Sequence, residues 1–315
     1  MYFLVLKQLL IMMMIAALSF FFSRRNSFDG TESEFLSRIL LFFINPCLII
    51  NAFNISYDTE KMKRLLFVML ICIGVHLLLT LVATAAMRSK TKEGRMLDGL
   101  DRIGVVFTNC GFIGIPLING VFGASGVFYL MGYIVVFNVY LWIYGEYLMS
   151  GHISWKKVVT NPNVIAVAAG IVLFCLPFTL PGIVAESLSL IAGLNTALSM
   201  ILLGMLFAGF HKTAGGVSYT KRVIKASVVR LVVSSFVVLA FLYGVYRIFP
   251  SVKDLREILF VVYIASLCPI GMSASTFACI FKKDASYTSL IVSVTSILCI
   301  VTVPLFVRLG EFFIK

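Results

Sequence analysis

Residues 104–123 read GVVFTNCGFIGIPLINGVFG, a stretch apolar enough to cross a bilayer that nonetheless carries five glycines, one proline, two asparagines and a threonine. In a continuous helix each glycine costs about 1 kcal/mol relative to alanine, and the proline costs about 3 kcal/mol. A plain transmembrane helix would therefore give up about 8 kcal/mol here. The composition predicts a helix that is interrupted within the membrane.

The composition of the whole chain indicates a multi-spanning membrane protein. Of the 315 residues, 60% are hydrophobic and only 13% are charged, and the mean hydropathy is +1.03. A soluble domain of this length needs a more charged exterior. The formal charge of +12 comes from residues in short loops rather than on one face, which argues against nucleic acid as a partner and is typical of cytoplasmic membrane loops.

The seven cysteines all lie within apolar runs and show neither CxxC nor Cys/His spacing. The sequence therefore predicts no disulfide framework and no metal site, and no cofactor is expected. At the N-terminus, Arg24 and Arg25 follow the first apolar run instead of preceding it. That order argues against a cleaved signal peptide and favours a first span that stays in the protein.

At about 20 residues per span, the apolar runs predict an all-α protein with about ten transmembrane helices. The loops between them are short. The predicted spans are 2–22, 33–54, 65–87, 100–121, 125–148, 162–180, 186–209, 224–246, 256–281 and 286–309.

Lysines and arginines are distributed unequally between the two sides of the membrane that this topology implies. The larger set is Arg24, Arg25, Arg88, Lys90, Lys92, Arg95, Arg102, Lys156, Lys157, Lys212, Lys221, Arg222, Lys225, Lys282 and Lys283. The smaller set is Lys61, Lys63, Arg64, Arg247, Lys253, Arg256, Arg308 and Lys315. Because basic loops stay in the cytoplasm, both termini are predicted outside the cytoplasmic membrane.

A second interrupted stretch, SLCPIGMSASTFACIFKKDAS at 266–286, lies in the ninth predicted span. Gly271 lies 157 residues after Gly114 (271 − 114), half the length of the chain. Five spans in each half give the halves opposite orientations, which predicts two inverted five-helix repeats, residues 1–155 and 156–315, in one integral membrane unit. Helices 4 and 9 are then the broken, crossing helices.

Two breaks that meet at the midplane can offer free backbone groups and half-helix N-termini to a solute, preferably an anion. The alternative is that small residues merely let helices pack closely. The candidate substrate-binding residues are Thr108, Asn109, Gly111, Gly114, Pro116, Cys268, Pro269, Gly271 and Ser273. Supporting candidates are Asn45, Pro46, Asn51, His76 and Asn138; His76 is either a neutral histidine between helices or a proton-coupling or anion-binding group.

Charged residues discriminate between kinds of carrier. Each of the fourteen acidic residues, Asp29 among them, lies in a predicted loop or near a span end. A sodium/proton antiporter needs buried carboxylates, so this distribution favours an anionic substrate instead. Lys7, Arg38 and Arg230 lie near span ends and are expected to extend to the interface.

Several motifs together resemble the auxin efflux carrier family of membrane transport proteins. They are FTNCGFIGIPLINGVFG at 107–123, YIVVFNVYLWIYGE at 133–146, NPNVIAVAAGIVLF at 161–174 and LSMILLGMLFAGF at 198–210. The resemblance covers essentially the whole chain. It differs at Ala197, where many relatives have proline, and in the short loop around 150–160, so neither regulation through that loop nor auxin itself is carried over.

The resemblance implies ten helices in two inverted repeats, with a scaffold part and a transport part that moves like an elevator. It implies a secondary active or facilitative carrier of small organic anions, namely mono- or dicarboxylates resembling malonate, malate or auxin. Asn109, Gly114 and Pro116 then take the first crossing role, Pro269 the second, and Asn138 the position of the family's fifth-span asparagine. The implied partners are the lipid bilayer and the anion; a proton as coupling ion and a homodimer are left open.

Three other functions compete with this interpretation. A cation-coupled carrier or antiporter would need the buried carboxylate that the sequence places nowhere near a midplane. A membrane-embedded enzyme would need a nucleophile beside histidine or paired acids on facing spans, yet His152 and His211 fall in predicted loops. A receptor that does not transport has no distinguishing residue pattern.

Overall fold

A computed structural model of the chain describes residues 1–26, 30–176, 179–213 and 219–314. Residues 177 and 178 of the sixth predicted span, and Asp29 and Lys315, lie outside these ranges. The α-helices are α1 Tyr2–Arg25, α2 Gly30–Ile39, α3 Asn45–Phe53, α4 Thr59–Ala86, α5 Lys92–Val106, α6 Ile115–Tyr140, α7 Glu146–Ser150, α8 Trp155–Val159, α9 Pro162–Cys175, α10 Gly182–Thr213, α11 Thr220–Val228, α12 Ser234–Ile248, α13 Leu255–Leu267, α14 Ser273–Ile280 and α15 Ala285–Phe313.

Four π-helical turns join some of these helices without a loop, at Leu40–Ile44, Cys110–Gly114, Leu141–Gly145 and Val229–Val233. The described part of the chain is otherwise helical, apart from connections and one isolated antiparallel bridge between Thr108 and Ile270. Such π turns are frequent at functional sites. Three of these four, all but Val229–Val233, contain residues that line the cavity described below.

Each of the ten predicted spans coincides with helical structure. Seven helical stretches within the described residues are both long and apolar enough to cross a membrane. The nearly all-helical membrane fold is therefore confirmed, whereas the number of ten spans and the inverted repeat stay predictions. Helix α9 is shorter, at 14 residues, and the broken helices divide into segments.

Side-chain caps fix several helix starts. The Asp58 carboxylate accepts hydrogen bonds from the backbone amides of Glu60, at 2.7 Å, and Lys61, at 3.2 Å, where α4 begins. Asn161 Oδ1 accepts from the amides of Asn163 and Val164, and Pro162 occupies the first turn of α9. Such caps satisfy amides that have no partner within the helix.

The glycines and proline of the opening stretch have different structural roles. The chain leaves the helix at Phe107–Asn109, before Gly111 and Gly114, which lie in a π turn. Pro116 directly follows this π turn, and the wider turn accommodates the proline ring and the missing amide hydrogen. Gly123 has a φ of 64°, which side-chain-bearing residues rarely adopt, and it kinks α6 between the fourth and fifth predicted spans.

The helices pack as two groups that both draw on each half of the chain. Helices α1, α3, α9 and α10 contact one another and form the four-helix group. The break-bearing group consists of α4, α5, α6 and α12 to α15, in which α6 packs against α4 and α13. The two groups meet where α1, α3, α9 and α10 face α6 and where α1 and α10 face α15. The candidate site lies along the first of these contacts.

Candidate functional site

Two breaks in helical structure lie side by side within the break-bearing group. The first break, Phe107–Asn109, follows α5, and the second, Cys268–Met272, separates α13 from α14. The Asn109 amide donates to the Pro269 carbonyl at 2.9 Å, and the Gly271 amide donates to the Phe107 carbonyl at 2.9 Å. Each break thus satisfies backbone groups of the other, which irregular backbone inside a membrane requires.

Gly271 allows this close approach. A Cβ atom at this position would lie 2.6 Å from the Thr108 carbonyl oxygen and 2.9 Å from that of Phe107. Both atoms belong to the backbone and cannot rotate away. Glycine is therefore required where the two breaks pair, because any side chain would push them apart.

Arg230 forms hydrogen bonds at both breaks. The prediction that its side chain extends to the membrane interface is wrong. Its side chain is fully buried. The guanidinium donates to the carbonyls of Val105, at 2.8 Å, Cys268, at 2.9 and 3.1 Å, and Ser266. These carbonyls end α5 and α13, where the helix dipole is negative, so a cation is stabilised there.

Arg230 forms no salt bridge to a carboxylate in the described part of the chain. Its positive charge is compensated only by carbonyl dipoles. The negative ends of two half-helices are thereby offset at the point where the breaks meet. Since each helix C-terminus carries about −0.5 elementary charge, the single positive charge of Arg230 leaves little net negative potential at the breaks.

A cavity of about 330 Å³ lies beside the breaks, between the break-bearing group and the four-helix group. We call it the Lys157 cavity, because Lys157 is the only charged residue that lines it within the described chain. Phe137, Trp142 and Phe277 provide apolar walls. A largely apolar cleft with a few convergent polar groups is the usual form of a small-molecule site.

The structure brings some of the candidate residues together and separates others. Six line the Lys157 cavity: Asn45, Thr108, Asn109, Gly111, Asn138 and Ser273. Eight do not: Pro46, Asn51, His76, Gly114, Pro116, Cys268, Pro269 and Gly271. Of these eight, Pro269 and Gly271 build the backbone pairing, and Cys268 is fully buried and bound to Arg230 through its carbonyl.

Several polar atoms around this cavity are buried without a hydrogen-bond partner in the described structure. They are Asn45 Oδ1, Thr108 Oγ1, Asn109 Nδ2, Asn163 Oδ1 and Ser273 Oγ. Leaving such atoms unpaired costs about 1–3 kcal/mol each, so their clustering indicates a site that takes a polar occupant. Asn138, by contrast, donates to the Ile134 carbonyl of its own helix at 2.9 Å.

Sequence reasoning missed the contribution of the segment from α8 to the first turn of α9. Lys157, Thr160, Asn161 and Asn163 all line the cavity. The Lys157 ammonium lies 2.6 Å from a carboxylate oxygen of the buried Glu146. The Asn161-Pro162-Asn163 motif offered a signal, but Lys157 offered none, because an adjacent pair of lysines in a short loop is common on any membrane protein.

His76 lies behind the first break and does not line the cavity. Its Nδ1 atom lies 2.8 Å from the Cys72 carbonyl, within α4, and Nε2 has no partner in the described structure. The ring packs against Tyr133, with centroids 5.1 Å apart, and near Phe107. The hydrogen bond runs along one helix, not between helices.

The expectation that the chain lacks buried carboxylates needs correction. Asp98, Asp101 and Glu146 are all buried, because neighbouring cations and hydroxyls compensate them. Arg222 bridges Asp98, at 2.7 Å, and Asp101, at 2.5 Å. Burial raises the pKa of Asp98, which precedes the fourth predicted span, but hydrogen bonds from Ser89 and Arg222 outweigh it and lower the pKa overall. None of these three lines the Lys157 cavity.

In the described residues, a helical membrane fold brings two broken segments together beside a largely apolar cavity with a few polar groups, an arrangement typical of membrane transporters. The sequence profile of one family, described as membrane transport protein, matches residues 4–153 and 147–307. The chain belongs to this membrane transport protein family, which includes the auxin efflux carriers that its motifs resemble. No curated protein matches the sequence.

Proposed function

We propose that this protein is a secondary carrier of small organic anions, mono- or dicarboxylates of the size of malonate or malate, in the cytoplasmic membrane. The observation that carries the proposal is the lining of the Lys157 cavity. It combines one cation, no carboxylate among the described residues and several unpaired polar atoms. A carboxylate ligand could accept hydrogen bonds from Asn109 Nδ2 and Ser273 Oγ, both of which are available donors.

Helix ends add to the preference for an anion. Ser273 begins α14 and lines the cavity, so the partial positive charge of that N-terminus is directed toward the ligand. Arg230 meanwhile offsets the negative ends of α5 and α13. A cation in the same place would meet the N-terminus of α14 and would find no carboxylate among the described lining residues, because Glu146 lies outside the lining and is already paired with Lys157, which disfavours the cation-coupled alternative.

We infer an elevator-type movement from the packing. The cavity lies between the four-helix group and the break-bearing group, and the breaks belong to one group alone. Because the breaks pair with each other and with Arg230, the break-bearing group can shift as a unit past the four-helix group while its binding residues stay together. Lys157 lies on the predicted cytoplasmic side, so the cavity opens toward the cytoplasm in this conformation.

Asn109→Ala tests the assignment in proteoliposomes loaded to take up radiolabelled malonate. One hydrogen bond to a charged ligand is worth about 1.5–3 kcal/mol, so uptake at low malonate should fall roughly tenfold to a hundredfold. Asn26→Ala, which alters an exposed amide, is the matched control and should transport normally. Uptake by folded Asn109→Ala at the control rate would refute the site.

A further inference from the structure

A second cavity, of about 510 Å³, lies at the other end of the contact between α3, α10 and α6. We call it the Lys61 cavity, after its only charged lining residue within the described chain. Its other polar lining includes Asn51, Asn119, Asn195 and Ser125. Since Lys61 begins α4 and Lys157 follows α7, the two cavities open toward opposite faces of the predicted topology.

Asn195 is the strongest sign that this cavity takes a polar ligand. Its side chain is 1% exposed, and neither its amide nitrogen nor its amide oxygen has a partner in the described structure. Its backbone carbonyl, by contrast, accepts from the Ser199 hydroxyl at 2.5 Å. A buried amide offers two donors and two acceptor sites, and the lining of the cavity is where they can be satisfied.

The charge of the cavity favours an anion. Lys61 is partly exposed, and its ammonium forms no ion pair in the described structure; the Asp58 carboxylate accepts from its backbone amide instead. No carboxylate is among the lining residues described. Glu257 lies close by but is held by Ser125, which donates to it at 2.5 Å.

Ile115 separates the two cavities. It is the one described residue that lines both, and its side chain is buried. On the facing helix, Ile49 lines the Lys157 cavity and Leu48 the Lys61 cavity. The two cavities therefore lie along one interface between the helix groups, with an apolar partition between them.

We propose that the Lys61 cavity is a second, separate binding site for the same carboxylate, in which Asn195 and Lys61 hold the anion before it enters or after it leaves the Lys157 cavity. The choice of carboxylate rests on the proposed function. The site accounts for Asn51, which faces this cavity and not the first. With this site, the anion has one polar binding site on each side of Ile115.

The test uses full-length protein in proteoliposomes, with the accessible Cys47, Cys175 and Cys279, and Cys110 of the Lys157 cavity, replaced by serine. Asn119→Cys reports on the Lys61 cavity and Thr276→Cys on the Lys157 cavity. Ser251→Cys, exposed at the Lys61 end, is the control for reagent access. A membrane-impermeant sulfonate thiol reagent is supplied on both faces of the membrane, inside and outside the proteoliposomes, with malonate or with potassium chloride of equal ionic strength.

We expect malonate to slow labelling of the introduced thiol in Asn119→Cys and in Thr276→Cys, but not in Ser251→Cys. Adding Asn195→Leu should weaken protection in Asn119→Cys by about tenfold and leave protection in Thr276→Cys unchanged. Adding Asn109→Leu should weaken protection in Thr276→Cys and leave protection in Asn119→Cys unchanged. Asn51→Leu, at a less buried amide of the same cavity, repeats the test should Asn195→Leu fail to fold.

Three results would overturn the second site. Protection in Thr276→Cys alone would exclude it and leave the proposed function standing. Protection in Asn119→Cys that disappears with Asn109→Leu would show that the first cavity alone binds malonate and that the label follows a conformational change. Protection in neither reporter would refute both the second site and the carboxylate assignment.

Discussion

Gly271 and Gly111 offer a sharp test of the paired breaks, because the same added methyl group meets different surroundings. In Gly271→Ala the Cβ atom would lie 2.6 Å from the Thr108 carbonyl oxygen, against about 3.4 Å for ordinary contact, so the breaks must separate by about 0.8 Å (3.4 − 2.6). In Gly111→Ala the nearest atom is Asn45 Nδ2 at 3.9 Å, which leaves room.

The cost of Gly271→Ala follows from this geometry. Overpacking costs about 1–3 kcal/mol. Separation also weakens two hydrogen bonds, from Gly271 to Phe107 and from Asn109 to Pro269, at about 0.5–1.5 kcal/mol each. The sum is roughly 2–6 kcal/mol of destabilisation. Gly111→Ala should leave stability unchanged or raise it by up to about 1 kcal/mol through helix propensity.

Thermal unfolding of both purified variants in detergent, followed by tryptophan fluorescence, provides the measurement, since Trp142, one of the two tryptophans, packs on Phe277 of α14 with ring centroids 5.2 Å apart. Malonate uptake is measured alongside. We expect Gly271→Ala to unfold at a clearly lower temperature and to lose transport, while Gly111→Ala stays folded. Equal melting temperatures for the two variants would refute the backbone pairing of the breaks.

Further substitutions test the charge and the partition. Arg230→Met leaves three buried carbonyls unpaired and should raise KM for malonate at least about tenfold. Arg230→Lys keeps the charge, so its KM should return most of the way to the wild-type value. Equal KM values in the two variants would exclude an electrostatic role. Ile115→Ala should cost about 2–5 kcal/mol and let malonate leak passively from loaded liposomes, while Ile115→Val should cost about 0.5–1.5 kcal/mol and stay tight. Glu146→Gln frees the Lys157 ammonium from its carboxylate partner and should lower KM for malonate. KM should then depend more steeply on salt concentration. An unchanged KM would show that Lys157 does not contribute to malonate binding.

The sequence by itself was sufficient for the class of protein. Apolar runs of about 20 residues leave no alternative to a membrane protein, and helical structure lies at every predicted span. The clusters around Gly111 and Gly271 located both breaks to within a few residues. Their motifs also indicated the family to which the chain belongs. These features are carried by side-chain type and spacing, which a sequence states directly.

The direction in which a side chain faces was decided by the tertiary structure. Asn45 and Asn51 lie six residues apart on one short helix, so they are separated by about 9 Å and by a rotation of about 240°. Asn45 consequently lines the Lys157 cavity and Asn51 the Lys61 cavity. Likewise, Asp98 and Asp101 are one turn apart on α5, and only the packing of α11 brings Arg222 to both.

Arg230 shows why the rest of the site could not be predicted. A single arginine near a span end resembles one that reaches toward lipid headgroups. Its actual partners are backbone carbonyls of Val105, Ser266 and Cys268, at least 36 residues away in the chain. Every residue carries a carbonyl, so no residue type marks these partners. Composition determined that the helices break, but only their tertiary packing determined which backbone groups the breaks present, to each other, to Arg230 and to the cavity.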